Sequence, residues 1–500
     1  MRPARKPLVK PAQKHTAPAH RPRSAQAPAA KHPAAAANPA QEETRAALQT
    51  LCRRPRALPV IAVVGGGAAG LAAALTAAQT AQGAAQVVLL EKSARVGRKL
   101  LASGNGRCNL SNTDVTAAHY ATLDAPELQR FLACRTPAET QEWMSRLGLL
   151  CREEDGRLYP FSEQAAAVLD LLRSAVRRAG VLTLCGCRVG QILPREGQLV
   201  LRLQTDGGDG PAAETFSLPA ARVVLTTGGA AAPALGGSTE GYALLPALGH
   251  SCTPLAPALV GLRCTAMAGT PPADLLPGLK GVRAQAAATL YVDCKPVAVQ
   301  TGEVQFNSDG LSGIPILQLS LLLPAKGDCR LSLNLLPQLQ TDSVPQLLKA
   351  RRALPGLPLE ELLWGTVHKK LGAALLKAAG CGPLEQPAAR LEDRQLCRLA
   401  GLLTALPLTV TGTQGWQGAQ ATRGGVPLSE VEPAACASRR CDGLYLAGEV
   451  LDAVGECGGY NLDWAFSTGR RAGRAAALSL LSPQAQAQDG AAAAPRTQER

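Results

Sequence analysis

Gly65, Gly67 and Gly70 form a G-x-G-x-x-G series, and Glu91 follows twenty-one residues after the last of them. Those residue types at that spacing suit one chemistry. Gly65 permits a tight strand-to-helix turn, Gly67 lets a pyrophosphate reach the backbone, and Gly70 lets helix and strand pack closely. A helix starting there offers the free N–H groups of Ala68 and Ala69, and a partial positive charge, to phosphates. Glu91 can accept hydrogen bonds from both ribose hydroxyls and would repel a 2′-phosphate, so the site suits FAD or NAD better than NADP.

The flanking elements must position those residues. "LPVIAVV" (58–64) is a short all-apolar run, as a strand buried on both faces should be. "AAGLAAALTAAQTA" follows with strong helix propensity, and "AQVVLLEK" is a second buried strand ending near Glu91 and Lys92. Strand, glycines, helix, strand and acid therefore come in order within one βαβ length. A second stretch, "SGNGRCNLSN" (103–112), carries three Asn and two Gly and has no helical or strand period. "ARVVLTTGGAAAP" (221–233) reads as another buried strand, ending in Thr227, Gly228 and Gly229. A last strand runs into Gly448, Glu449, Asp452, Gly458 and Gly459 before a long helix. Glycines at strand ends far apart in sequence make sense if several strand termini line one extended cofactor. The start of the late helix would lie near a flavin's electron-rich edge. The chain has a single fingerprint of this kind, so no second, nicotinamide-dedicated domain is expected.

These motifs resemble the FAD-dependent oxidoreductases of the aminoacetone-oxidase-like and bile-acid-reductase-like group, also called HI0933-like. The similar blocks are "VVGGGAAGLAAA" (63–74), "EKSARVGRKLLASGNGRCNLSN" (91–112), "LYPFSEQAAAVLDLL" (158–172), "TTGGAAAPALGGSTEGYALLPALGH" (226–250), "GEVQFNSDGLSGIPILQLS" (302–320), "ATRGGVPLSEVEP" (421–433) and "LYLAGEVLDAVGECGGYNLDWAFSTGRRAG" (444–473). Together they span nearly all of the chain after residue 57. The resemblance implies an α/β fold of the two-dinucleotide-binding-domain flavoprotein type. Its Rossmann-like FAD-binding domain would be interrupted by an inserted β domain and a helical subdomain. It also gives the 103–112 stretch a role, wrapping the middle of FAD and the flavin ring. Arg98, Lys99 and Arg107 would offset pyrophosphate charge, and Ser103, Asn105 and Asn109 would hydrogen-bond ring edges. Gly104, Gly106, Cys108, Val189, Tyr460, Asn461 and Leu462 complete the expected cofactor contacts. The chain departs from the family pattern at Ala231-Ala232-Pro233, where Ser-Tyr-Pro is usual, and at Ser308, where His is usual. Both departures fall on the substrate side, and they leave substrate identity open.

The remaining composition bounds the rest. The 500-residue chain has a formal net charge of +14, but residues 1–56 hold twelve Lys or Arg against Glu42 and Glu43 alone. That leaves about +4 for everything else, so the charge belongs to a segment and not to a folded face. Residues 1–56, rich in Pro and Ala, are expected to be a disordered basic tail with weak polyanion affinity and no specific nucleic-acid target. The FAD-binding domain is expected at 57–253 and 409–480, an inserted β domain at 254–335, a helical subdomain at 336–408 and a disordered tail at 481–500. No secretory core or membrane-length apolar run is evident, which suggests a cytoplasmic protein with no membrane partner. The fifteen cysteines, without C-x-x-C, read mostly as reduced core thiols, and no metal-ligand spacing is present.

Other residues carry two readings each. Cys108 and Cys457 suggest a flavin–thiol relay or inert packing. Arg423 suggests an anion-binding group or a structural ion pair. Glu449 and Asp452 suggest ribityl contacts or a held turn. His250 reads as a helix-end residue, and His368 as part of an amphipathic helix. The expected function is hydride transfer at flavin N5 between NAD(P)H, or an oxidisable substrate such as an amino ketone, and a small organic acceptor or oxygen. No catalytic acid or base is assigned. An FAD-dependent tRNA-modifying enzyme and a non-enzymatic flavin-binding redox sensor are the rival readings.

Overall fold

The computed structural model describes residues 39–53, 58–136, 138–205, 214–266 and 275–481. Of the expected tails at 1–56 and 481–500, residues 1–38, 54–57 and 482–500 lie outside the described residues. A parallel sheet carries the nucleotide end. Its strands are β1 (Val60–Val64), β2 (Gln86–Glu91), β3 (Leu182–Cys185) and β4 (Arg222–Leu225). β1 lies between β2 and β4, with Val60 opposite Gln86 and Ile61 opposite Arg222. The late strand Leu444–Leu446 continues the parallel order beside β4, and two short antiparallel strands, Val431–Glu432 and Ala437–Ser438, extend that edge. All five residues of β1 are buried, which is why the sequence shows no alternation there.

Part of the expected tail is folded. Helix α1 (Pro39–Arg53) docks on the domain through Leu48, which is fully buried, and Thr44, whose Oγ1 donates to the Cys185 carbonyl at 3.1 Å. Its apolar stripe is only Thr44, Ala47, Leu48 and Leu51, too short to stand out among the surrounding Ala and Pro. Helix α2 (Ala68–Ala81) is buried on most sides because α3 (Tyr460–Leu478) covers it. Gly469 and Gly473 of α3 press against the carbonyls of Ala69 and Ala73, where a side chain would collide. Both helices consequently start at the same end of the sheet.

The second core differs from the expected division. Strands Leu262–Ala266, Gly310–Ser312, Lys295–Asn307, Arg283–Val292, Cys329–Asn334 and Leu406–Thr413 form a closed barrel. The helices Val344–Arg352, Lys369–Ala378 and Asp393–Thr404 are therefore an excursion between neighbouring barrel strands. They share the barrel's core, with Leu348, Leu375 and Leu399 packed in one cluster with Leu290, Phe306 and Leu331. Residues 406–413, read from sequence as the end of the helical part and the return to the FAD domain, close the barrel. Their pairing partners lie some 75 and 145 residues away, which local periodicity does not report. Only seven of the fifteen cysteines are buried, and Cys134, Cys252, Cys294 and Cys397 are exposed, so thiols are less confined to the cores than expected. Among the described residues, no helix is long and apolar enough to cross a membrane.

Candidate functional site

The ends of β1, β2 and β4, with Glu449 beyond the strand Leu444–Leu446, open onto one cavity of about 890 Å3, bounded on its far side by segments that adjoin the barrel strands. At its nucleotide end the chain turns through Gly65, whose φ of +105° belongs to the left-handed region, into α2. A Cβ on Gly70 would strike the Gly65 carbonyl, whereas one on Gly67 would meet nothing within 4 Å. Gly67 is the N-cap of α2 and no side chain caps the helix, so its first N–H groups face the cavity without an internal acceptor. The Glu91 carboxylate accepts from the Gly66 N–H and the Ser93 N–H, both at 2.7 Å, and still has lone pairs to offer.

The middle of the cavity holds cations and one buried-edge carboxylate. Arg95, Arg98 and Lys99 line it, and Arg98 donates to the Ala234 carbonyl at 2.7 Å. Lys99 Nζ lies 2.8 Å from Glu449 Oε2, while Glu449 Oε1 accepts from the Thr422 N–H at 2.8 Å. Lys92 donates to Ser238 and is paired with Glu240, which Arg188 also contacts.

The stretch 103–112 folds back on itself. Gly104, Asn105 and Cys108 are left-handed, and the Cys108 N–H donates to the Ser103 carbonyl. Ser111 Oγ donates to Asp463, and Asn112 Nδ2 donates to the Gly458 carbonyl, so the stretch is stitched to the start of α3. Gly459, with φ +100°, is the N-cap of α3, and it too lacks a capping side chain. The second uncapped helix start is thus also a wall of the cavity, through Gly458, Gly459, Asn461 and Leu462.

Most of the expected cofactor residues line this cavity: Gly65, Gly67, Ala68, Ala69, Glu91, Lys92, Arg98, Lys99, Ser103, Gly104, Asn105, Arg107, Asn109, Val189, Thr227, Gly228, Gly229, Glu449, Gly458, Gly459, Asn461 and Leu462. Gly70, Gly106, Cys108, Gly448, Asp452 and Tyr460 are absent from the wall. Two expectations of charge change. Arg107, expected to offset pyrophosphate charge, is paired with Glu154 at 2.7 Å and Glu163 at 2.9 Å and lies over the Tyr159 ring. Arg423 Nη1 donates to the Leu321 and Leu323 carbonyls at 3.0 and 2.7 Å, and Arg423 is absent from the cavity wall. Asp452 is buried behind the wall, where it accepts from the Leu123 N–H and burial pushes its carboxyl up; of its two readings, this is the held turn. Burial also pushes the Cys108 and Cys457 thiols up to about 11, which disfavours the thiolate a redox relay needs.

His250 follows the helical turn Pro246–Leu248, as expected of a helix-end residue, and it is buried. Its Nδ1 faces Glu430 at 2.8 Å and its Nε2 faces Ser438 at 2.7 Å. That order matches a hydrolytic triad, but Ser438 Oγ already accepts the Arg440 and Cys441 N–H groups and lies outside the cavity, so the cluster pins a sheet edge. His368 caps the helix Lys369–Ala378, accepting from the Lys370 N–H, instead of lying within it.

The structure also adds residues. The barrel side contributes Leu259, Ile314, Leu317, Gln417 and Gln420, and the hairpin 151–160 contributes Arg157 and Tyr159. Glu456 joins the wall beside Cys457, within a motif whose glycines had drawn the attention. The site fits FAD on three counts. An uncapped helix start suits a pyrophosphate, a second suits an electron-rich ring edge, and two buried polar atoms of wall residues, Asn109 Oδ1 and Thr227 Oγ1, have no hydrogen-bond partner among the described residues.

The family model described as "HI0933-like protein Rossmann domain" matches residues 59–475. The chain is 37% identical to the 3-dehydro-bile acid delta(4,6)-reductase of Clostridium scindens, over 83% of this chain and 98% of the relative. It is 28% identical to the ribosomal RNA dihydrouridine synthase of Escherichia coli, over 81% and 95%. Among solved structures, it is similar to the open conformation of a flavocytochrome c3 fumarate reductase, with a TM-score of 0.44, 18% identity, and coverage of 88% of this chain and 81% of that one.

Proposed function

We propose, from the premise that the chain belongs to the HI0933-like family of Rossmann-domain flavoprotein oxidoreductases, that it saturates a carbon–carbon double bond conjugated to a carbonyl, with FAD resident and NAD(P)H as the exchanging donor. The observation that carries the reading is a cavity that joins two uncapped helix starts to the apolar side chains of Leu259, Ile314 and Leu317, from segments adjoining the barrel strands. The names of the two relatives described above support the chemistry, since a delta(4,6)-reductase and a dihydrouridine synthase each saturate a double bond next to a carbonyl. They favour reduction over the oxidation of an amino ketone. Bound FAD would supply a two-electron hydride carrier.

The chain's own residues then divide the work. Gly65, Gly67 and the N–H groups of Ala68 and Ala69 would hold the pyrophosphate, with Arg95 and Arg98 offsetting its charge. Glu91 would hold a ribose. Lys99 and Glu449 would orient the middle of the cofactor, and Asn109 with the start of α3 would hold the ring edge. Leu259, Ile314 and Leu317 would exclude water and receive an apolar substrate, a 3-oxo unsaturated steroid-like acid being the class that the 37%-identical relative supports.

A second reading, reduction of a uracil in RNA, draws on the dihydrouridine synthase relative. One experiment separates the readings: an anaerobic visible spectrum of the FAD-loaded protein, titrated with NADH and NADPH and then with a steroid enone or an RNA fragment. Bleaching by a nicotinamide and recovery with the enone is the expected result. Recovery with RNA alone would favour the second reading. A flavin that neither nicotinamide bleaches would favour a redox sensor or an oxidase, and failure to bind FAD would sink the proposal.

A further inference from the structure

We propose that Glu456, backed by His119, is the proton donor for the double bond. This rests on the reductase reading above. Saturating C=C adds a hydride at one carbon and a proton at the other. The two electrons arrive with the hydride that the nicotinamide donor supplies, so the second hydrogen must come from the protein or water.

Glu456 is an acidic residue of the cavity wall, on the side where segments adjoining the barrel strands line it. Gln318, from the short helix that presents Ile314 and Leu317 to the same cavity, donates to its Oε2 at 3.4 Å. The same Oε2 lies 3.3 Å from His119 Nδ1, and His119 Nε2 lies 3.0 Å from Asp114 Oδ2. The Asp114 side chain is 65% exposed, so the row Asp114–His119–Glu456 runs from solvent to the cavity without a gap.

The row is also held. Strands Val454–Gly455 and Tyr120–Ala121 pair antiparallel, and the Glu456 N–H donates to the His119 carbonyl at 2.9 Å. The His119 ring stacks on Tyr460, the first residue of α3, with centroids 4.6 Å apart and planes 15° from parallel. An imidazole with a carboxylate at each nitrogen is placed to carry a proton between them. Burial lowers its proton affinity, but Asp114 and Glu456 outweigh that and raise it overall. Tyr460, stacked on His119, Tyr120, which follows His119 and packs on Tyr460, Cys457 beside Glu456, and Arg157 on the adjoining hairpin, which acts on Tyr460 and Cys457, are further titratable or charged groups around the row. In the step, the Glu456 O–H bond breaks as the substrate C–H bond forms, the His119 imidazolium returns a proton to Glu456, and water at Asp114 replenishes His119.

The test compares wild type, E456Q and H119Q as FAD-loaded proteins on a steroid enone, with thermal melting as a check that each folds. E456Q should slow reoxidation by the enone roughly 100-fold or more, far beyond any change in bleaching by NAD(P)H. H119Q should slow it less and move the alkaline limb of its pH profile. In the cofactor-free protein, nitrogen NMR should show His119 titrating above its ordinary value in wild type and lower in E456Q. An active wild type with an unchanged E456Q, equal losses in both half-reactions, or a His119 titration indifferent to E456Q would overturn the relay alone. A wild type that no enone reoxidises would overturn the reductase reading and the relay with it.

Discussion

Lys99 Nζ and Glu449 Oε2 lie 2.8 Å apart although their residues are 350 positions apart in the chain. The pair ties the segment after β2 to the segment after Leu444–Leu446 across the middle of the cavity. Both side chains are partly exposed, so the pair adds little to folding. Its consequence is for the ligand. Glu449→Ala should weaken FAD binding on the order of tenfold, about 1.4 kcal/mol, with little change in melting temperature. Fluorescence titration of the cofactor-free protein checks this.

Gly67 and Gly70 should fail in different ways. Gly67→Val places its side chain in open cavity at a φ of −78°, which valine accepts. That protein should fold and lose FAD affinity on the order of 100-fold, about 2.7 kcal/mol. Gly70→Val forces a Cβ onto the Gly65 carbonyl and should unfold the domain. Circular dichroism melts beside flavin titration separate the two outcomes.

Leu48→Ala should destabilise the protein by roughly 2–5 kcal/mol, as expected for a fully buried leucine. Urea midpoints give the measurement. A change within error would mean that α1 is not docked in solution.

The His250–Glu430 pair should make the protein acid-sensitive. Burial holds His250 below its ordinary value, against the pull of Glu430, so the folded state binds fewer protons than the unfolded one. Its contribution is whole above about pH 6.5 and is lost as pH falls from there toward the folded value. Glu430 acts in the same direction lower down. Burial raises its carboxyl, but hydrogen bonds from Ser251 and His250 outweigh that and lower it, so its contribution falls away as pH drops through that lowered value. His250→Asn should flatten the urea midpoint between pH 7 and 5 relative to wild type.

Thiol labelling should follow burial. Iodoacetamide at pH 8 should modify Cys134, Cys252, Cys294 and Cys397 in the folded protein, and Cys108 and Cys436 only after denaturation, because burial holds both thiols near 11. Mass spectrometry of the labelled peptides reads it directly. Fast labelling of Cys108 would reopen the thiol relay.

The nucleotide end was legible in the sequence because its information is local. A turn at Gly65, a close approach at Gly70, an apolar strand and Glu91 at the end of the next strand lie within thirty-odd residues, and backbone sterics alone dictate them. The 103–112 stretch and the Gly448–Leu462 segment could be singled out for a similar reason, since small residues and glycines at element ends have few other uses. What only the tertiary structure decided is partnership across long separations. Arg107 looked like a phosphate ligand until the hairpin 151–160 brought Glu154 to it. The barrel closes through Leu406–Thr413, whose alternation is ordinary and whose partners are remote. His119 and Glu456 stand 337 positions apart; His119 belongs to no motif, and the glycines around Glu456 mark the backbone of its segment but not its carboxyl. Side-chain pairing is set by packing, and packing depends on the whole fold, so a local pattern reveals a backbone cradle but not which charges will face each other within it.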